Sequence, residues 1–225
     1  MGLHVRIVHV LSPGVKGGSV SSPGLLRRRP VQERSAARVQ RMLDAAAALL
    51  DEVGYDATTT SLIATRAGVS VGSLYQFFPD RRAVLQALAV RSFERFADVL
   101  SARIEASPPA SWQEAVDLVV DAYVEFSRTE PAAQVLSFGG PVDLHMLDPD
   151  DDNNAVVSRA LGDVLRLVRP DLGDGLELAL ALRVAVEAGD GVLNLAFRVQ
   201  PEGDADVVAE AKRLIKAYLS GYLDA

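Results

Sequence analysis

The residues of this chain that are best suited to bind another molecule lie between 70 and 76. Gln76 can hydrogen-bond bidentately to adenine, the Ser73 hydroxyl can bond to any base, and Val71 can contact a thymine methyl group. Gly72 keeps the leading end of this segment small, so a helix formed by it could approach the bases closely. These side chains predict a surface that reads base edges in the major groove of DNA.

Two short helices must hold that surface, and the sequence marks their ends. An apolar pattern at helical spacing ends at Ala67 and is followed by Gly68, which tolerates the left-handed conformation of a helix end. Ser70 is a suitable N-cap for a second helix, which we expect from Val71 to Phe78. The pattern predicts a helix-turn-helix.

Leu74 and Phe78 are one turn apart, so they can anchor one face of the second helix. The opposite side or its flanks should then carry Val71, Gly72, Ser73, Tyr75, Gln76 and Phe77. Before the first helix, Thr59 or Thr60 can act as an N-cap and can also bond to a phosphate.

The segment GYDATTTSLIATRAGVSVGSLYQFFPDRRAVL, from Gly54 to Leu85, resembles the TetR-type one-component transcriptional regulators. The matching positions are Gly54-Tyr55, Thr59-Thr60, Ile63-Ala64, Ala67-Gly68-Val69-Ser70, Leu74-Tyr75 and Phe78. Two positions depart from the family pattern. Leu62 replaces the usual polar residue before the Ile-Ala pair, and Phe77 replaces a frequent histidine. These departures affect the expected operator sequence and leave the expected fold unchanged.

The resemblance, together with the helix pattern, implies a set of DNA-binding residues. The set comprises Thr59, Thr60, Ser70, Val71, Gly72, Ser73, Tyr75, Gln76, Phe77 and Arg81. Arg81 stands where the family usually has a lysine that contacts a phosphate. We assign phosphate contacts to Thr59, Thr60, Tyr75 and Arg81, and base contacts to Val71, Gly72, Ser73 and Gln76.

The resemblance and the helical periodicity predict an all-α fold. An N-terminal three-helix helix-turn-helix head should join a C-terminal helical domain for ligand binding and dimerisation. We expect a disordered or poorly ordered tail over residues 1–30, the DNA-binding domain over 31–79 and the effector-binding and dimerisation domain over 80–225. Helices of the body are predicted near 80–106, 112–128, 154–168, 175–199 and 204–223, with a further short helix from Pro131.

The charge is unevenly distributed along the chain. The net charge is −7, but residues 1–82 contain 11 Lys and Arg against 6 Asp and Glu. A basic head on an acidic body suits contact with phosphates at one end only. The sequence has no cysteine, which excludes disulfides and thiolate chemistry. It also has no long uncharged apolar run, so we expect a cytoplasmic protein without a membrane span.

The last two predicted helices are apolar over much of their circumference, so a second face of each must be buried. Either a single larger core or a second copy of the chain could cover that face. The family resemblance implies a homodimer formed through these two C-terminal helices. Two copies of the short recognition helix would then read a pseudo-palindromic site in double-stranded operator DNA.

The resemblance also implies a pocket in the body for an unidentified small-molecule effector. The candidate lining residues are Phe93, Phe96, Trp112, Tyr123, Phe126, Phe138, Met146, Glu187 and Asn194. Aromatic residues at helical spacing are equally the material of an ordinary core. Glu187, Asp190 and Asn194 form a polar trio on an otherwise apolar helix, so they need partners, which could be a ligand, the second subunit or water.

Metal and cofactor sites are not expected. The acidic loop 148–153 fails the calcium-loop template, because Asn153 stands where a glycine is needed and Arg159 where a bidentate glutamate is needed. His145 is the one histidine outside the tail, which leaves little for a metal site or a catalytic triad.

The sequence therefore predicts a ligand-responsive repressor that a small molecule releases from its operator, and not an enzyme. The alternative is a helical small-molecule-binding protein or enzyme without operator binding. No nucleophile and base at recognisable spacing and no cofactor fingerprint supports it. An activator, or a regulator without a ligand, is a third reading.

Overall fold

The computed structural model describes residues 33–130, 153–173 and 175–224. The regular structure of these residues is helical, without a strand, which confirms the predicted all-α fold. The helices are α1 (Glu33–Ala57), α2 (Thr60–Arg66), α3 (Val71–Phe77), α4 (Arg81–Ala106), α5 (Trp112–Thr129), α6 (Asn153–Val168), α7 (Leu176–Val199) and α8 (Ala205–Leu223).

The regular geometry of the first helix ends at Gly54. Gly54 has φ 77° and ψ 178°, a conformation outside the helical region that is essentially restricted to glycine. The chain leaves α1 there and turns towards α2, while Thr58 Oγ1 donates to the Gly54 carbonyl at 2.7 Å. Gly54 therefore sets where the chain enters the helix-turn-helix.

Helices α2 and α3 are capped by the hydroxyls that the sequence suggests. Thr59 Oγ1 accepts from the Leu62 amide at 3.2 Å, and Ser70 Oγ accepts from the Ser73 amide at 3.1 Å. Gly68, with φ 67°, makes the turn between the two helices. The caps satisfy amides that a short helix leaves without internal partners.

Helix α4 belongs to both halves of the molecule, since it packs against α1 and against α5. Asp80 Oδ1 caps it by accepting from the Ala83 amide at 2.8 Å. Further along, the Arg91 side chain is buried and its Nη1 donates to Asp44 Oδ1 at 2.7 Å and to Gln40 Oε1 at 3.0 Å, both on α1. Burial lowers the pKa of Arg91, and the Asp44 carboxylate opposes that effect.

The body is a bundle in which α7 packs against α6 and α8, and α5 packs against α4, α6 and α8. Two ion pairs join α5 to α8: Asp121 with Lys212 at 2.6 Å, and Asp117 with Lys216 at 2.8 Å. Gly203, with φ 79°, turns the chain between α7 and α8.

The predicted limits of the recognition-helix segment 71–78 and of the five body helices agree with the structure to within one residue at each end. The tail over 1–30, the short helix from Pro131 and residues 148–152 of the acidic loop lie outside the described residues. In the described part of the chain, none of the helices combines the length and apolar character that a membrane crossing requires.

Gly54 and Gly72 form a matched pair for testing the turn after α1. A Cβ added at either position meets nothing within 4 Å, so neither substitution causes a steric clash. The two positions differ in backbone conformation, because Gly54 has a positive φ and Gly72 is helical. We expect Gly54→Ala to lower the free energy of unfolding by about 1–3 kcal/mol, because alanine is strained there. Gly72→Ala should raise it by about 0.5–1 kcal/mol, because alanine favours the helix. Urea denaturation of both variants gives the comparison, and equal effects would contradict it.

Candidate nucleic-acid interface and body cavity

Helix α3 is fixed in the head by three apolar side chains. Leu74 and Phe78 are fully buried, as the sequence predicts, and Phe77 is only 5% exposed. Phe77 therefore corrects the sequence prediction, which placed it among the DNA-binding residues. Positions 74, 77 and 78 follow the i, i+3, i+4 spacing of one helix face, so Phe77 turns inward with its neighbours.

The remaining residues of α3 form an outward surface. Val71 is 37% exposed and Tyr75 is 40% exposed. Gly72 and Gln76 are also exposed, and Ser73 is half-buried. A side chain at Gly72 would point into open space, so the protein itself does not require a glycine there. The structure thus brings five of the predicted base-contact and phosphate-contact residues onto one short helix.

The start of α2 lies against this surface through a pair of hydroxyls. Thr60 Oγ1 and Tyr75 Oη are 3.2 Å apart and hydrogen-bonded. Thr59 and Ser70, which were also predicted to bind DNA, use their hydroxyls as caps of α2 and α3. Their oxygens hold the two helices in place whether or not they also contact a phosphate.

Arg81 holds residues 55–58, the loop between the kink at Gly54 and the start of α2. Its Nη1 donates to the carbonyl oxygens of Tyr55, Asp56 and Thr58 at 3.2, 3.3 and 3.1 Å. Its guanidinium carbon also lies 4.6 Å from the centre of the Tyr55 ring, in cation–π geometry. The sequence suggested a phosphate contact for this residue and gave no sign of these bonds, which tie the start of α4 to the turn after α1.

Leu62, the apolar departure in α2, has a side chain that is 44% exposed. One turn later, Arg66 pairs with Glu52 of α1 at 2.5 Å. This ion pair links α2 to α1 at the surface, and the side-chain hydrogen bond to Glu52 raises the pKa of Arg66.

The body contains a small cavity of about 40 Å³ between helices α4 to α8. Its walls are almost entirely apolar. They are formed by Phe96, Val116, Val119, Val120, Tyr123, Val157, Leu161, Ala185, Val186, Gly189, Asp190, Leu193 and Ile215. A space of this size holds a few water molecules, so a larger ligand would have to move the walls apart.

Asp190 is the charged residue among those walls. Its side chain is 7% exposed, and Oδ2 accepts from Asn194 Nδ2 at 3.0 Å. Within the described residues, Oδ1 accepts no hydrogen bond. Burial raises the pKa of Asp190 to about 7, and the negative charge of Glu187 adds to the effect. Burial likewise raises the pKa of Tyr123 on the opposite wall, and the charge of Asp190 contributes.

The structure brings only some of the predicted pocket residues together. Phe96 and Tyr123 line the cavity, and Asn194 reaches it through its bond to Asp190. Phe93 and Phe126 are buried but outside the lining. Trp112 is also outside it, with Nε1 donating to Asp224 Oδ1 at 2.8 Å. Phe138 and Met146 lie outside the described residues.

Glu187 was also predicted to line the pocket, and it lies outside the lining of this cavity. Its carboxylate is about half exposed and pairs with Arg183 at 2.6 Å, while Asn154 Nδ2 donates to its other oxygen. The partners that the polar trio needs are therefore found within the chain for Glu187. For Asp190, only one of the two carboxylate oxygens has such a partner among the described residues. Asp190 belonged to the polar trio of the sequence analysis but was not among the candidate pocket residues.

Two family models match the chain. One, described as the bacterial regulatory proteins of the tetR family, matches residues 42–88. The other, described as the tetracyclin repressor-like C-terminal domain, matches residues 110–223, about half of the chain. The first match contains the helix-turn-helix, and the second contains every residue that lines the cavity except Phe96.

Individual relatives agree with these models. The repressor KstR of Rhodococcus jostii is 43% identical over 58 residues, which are 26% of this chain and 27% of KstR. The regulator BetI of Escherichia coli is 29% identical over 96 residues, which are 43% of this chain and 49% of BetI. The chain thus matches less than half of the length of these curated relatives.

Solved structures extend the likeness over most of the chain. RolR, whose structure contains resorcinol, is 18% identical with a TM-score of 0.54, covering 85% of this chain and 97% of RolR, and shows the shared fold. A TetR-family transcriptional regulator from Streptomyces coelicolor is 37% identical with a TM-score of 0.69, covering 83% of this chain and 99% of that protein. With its helix-turn-helix, its helical body and these matches, the chain belongs to the TetR family of bacterial regulatory proteins.

Proposed function

We propose that this protein is a homodimeric repressor that binds operator DNA through α3 and leaves it when a small molecule enters the body. The observation that carries the proposal is the division of α3 into two faces. Leu74, Phe77 and Phe78 are buried, whereas Val71, Gly72, Tyr75 and Gln76 are exposed. A helix held this way presents small and hydrogen-bonding groups to a major groove.

Base contacts are assigned to the leading part of α3. Gln76 and Ser73 supply hydrogen-bonding groups, and Val71 supplies an apolar contact for a thymine methyl group. Gly72 would let the start of α3 approach the DNA closely. A side chain at this position would meet no other part of the chain, so the fold itself does not require a glycine there. The small size of Gly72 would therefore matter for contact with the DNA backbone or bases.

Phosphate contacts are assigned to the hydroxyl groups of α2 and α3. The bond between Thr60 and Tyr75 holds the phenol of Tyr75 at the junction of the two helices. A hydroxyl held in this way loses less conformational freedom when it binds a phosphate. Contacts of this kind position the head without reading sequence.

A dimer is supported by the outward faces of α7 and α8. Leu176, Leu180 and Val184 of α7 recur at a spacing of four residues and are 90%, 64% and 39% exposed. The same helix exposes Leu195 and Val199, and α8 exposes Leu214 and Tyr222. A second copy related by a twofold axis would cover these side chains with the same face of its own. It would also supply the second recognition helix.

Helix α4 supports a route from the cavity to the head. Phe96 lines the cavity, and Arg81 and Arg91 of the same helix are bonded to the head. Phe96 and Arg81 are 15 positions apart, about 22 Å along a helix. A ligand larger than the cavity must displace its walls, and a shift of Phe96 would tilt α4 and move α3. The ligand would then favour the state that binds DNA weakly.

The role of Tyr75 is tested by gel retardation of the DNA upstream of the protein's own gene, at one salt concentration. We expect Tyr75→Ala to abolish retardation while the dimer survives, because it removes both the ring and the hydroxyl. Tyr75→Phe should weaken binding by roughly fivefold, the equivalent of about 1 kcal/mol for one hydrogen bond.

Thr65→Ala is the control for Tyr75, since Thr65 is exposed on α2 and has no assigned contact. Its binding should equal that of the unchanged protein. Full retardation by Tyr75→Ala would refute the assignment of α3 as the reading helix.

The role of Arg81 is tested by Arg81→Lys. Lysine keeps the positive charge, but its ammonium cannot reproduce a guanidinium that bridges several carbonyls and stacks on Tyr55. We propose that Arg81 positions the loop, so Arg81→Lys should weaken DNA binding nearly as much as Arg81→Ala. Both variants should speed hydrogen exchange of the amides at 55–58. Full DNA binding by the lysine variant would instead show that charge at a phosphate is what matters.

The dimer is tested by Leu180→Glu on the exposed face of α7. Burying a leucine is worth about 1.5–3 kcal/mol, and a twofold dimer contains the residue twice. We expect this variant to be monomeric by sedimentation equilibrium. Val53→Glu is the control, because Val53 is a 46% exposed apolar residue on α1. A Leu180→Glu variant that stays dimeric would exclude this face as the interface.

A further inference from the structure

Among the described residues that line the body cavity, Asp190 has a buried side-chain oxygen without a hydrogen-bond partner. Asp190 is buried to about nine-tenths, and its Oδ2 is bonded to Asn194 Nδ2. Its Oδ1 is shielded from solvent and accepts no hydrogen bond within the described part of the chain. A buried carboxylate oxygen without a donor is costly, so the site is incomplete without a further group.

The charges around Asp190 indicate what that group should be. The charged neighbour that acts on it is Glu187, a second carboxylate, which makes ionisation of Asp190 harder. Across the cavity, Tyr123 also experiences the negative charge of Asp190. A neutral donor would satisfy Oδ1 but would not compensate the charge of the ionised form of Asp190, which burial disfavours. A cationic donor would satisfy both.

The other walls restrict the rest of the ligand. Phe96, Val116, Val120, Val157 and Leu193 give the cavity an apolar lining on every side that the helices supply. A molecule with several polar groups would lose their hydration without finding partners there. An anionic molecule would in addition face Asp190.

We infer that the effector is an amine with an apolar body, whose protonated nitrogen donates to Oδ1 of Asp190. The inference rests on the proposed function for its regulatory meaning, because it names the class of the molecule that would release the DNA. Asn194 is a positioning residue in this site, since it holds Oδ2 and so orients the free oxygen. The apolar body would press on Phe96 of α4.

Two matched sets of small probes test the chemistry: propylamine, propanol and propionate, and benzylamine, benzyl alcohol and benzoate. Binding to the full chain is measured by calorimetry at neutral pH. In at least one set we expect the amine to bind tenfold or more tightly than the alcohol, and the carboxylate not to bind. Equal binding of alcohol and amine, or failure of both amines to bind, would overturn the inference.

Two variants locate the binding. Asp190→Asn has nearly the same shape and should weaken amine binding at least tenfold, with a thermal unfolding scan confirming that it is folded. Glu105→Gln is the matched control, since it removes an exposed carboxylate of α4 that lies outside the cavity, and it should change amine affinity less than threefold. Undiminished binding by Asp190→Asn, or an equal loss in both variants, would also overturn the inference.

Retardation of the upstream DNA without any probe separates this inference from the proposed function. If the DNA is bound but neither amine binds the protein, the inference fails and the DNA-binding function stands. If an amine binds at Asp190 but no DNA is retarded, the site is correct and the proposed repressor is not.

Discussion

The continuity of α4 is the constraint on which the rest of the structure depends. Its first residue, Arg81, is bonded to the loop before the helix-turn-helix, and Arg91 is bonded to α1. Farther along, Phe96 contributes to the cavity wall and makes edge contacts with Tyr123 and Phe126. A helix packed against α1 near one end and against α5 farther along cannot bend freely without breaking contacts with one of them. The head and the body are therefore mechanically connected through α4.

The features that could be predicted from the sequence are those set within a few residues. Gly68 and Ser70 define a turn and a cap by their own conformational preferences, and the structure has both. The periodic burial of Leu74 and Phe78 follows from the helix repeat, and so do the long helices of the body. The side chains of α3 suggested a DNA-reading surface, and the family pattern supported that assignment, because spacing alone does not distinguish a recognition helix from any other short helix.

The features that could not be predicted depend on which elements meet in space. Phe77 lies at the edge of the helix face that Leu74 and Phe78 define, so the repeat permits its burial and the packing of α3 completes it. Arg81 meets carbonyls from a turn more than 20 residues earlier, and no local pattern reports such a bond. Glu187 and Asp190 look equivalent on a helical repeat, yet Arg183 and Asn154 satisfy the first and leave the second facing an apolar space.

The orphan oxygen of Asp190 also has a consequence for how this protein can change over generations. An acid held in an apolar wall makes the ligand-free protein less stable than a well-packed neutral residue would. Selection for heat resistance alone would favour replacing it, as happens at many sites where function and stability compete. Such a lineage would keep its fold and its recognition helix while becoming insensitive to any ligand that needs the carboxylate. The retention of an aspartate at 190 would then mark the descendants that still respond.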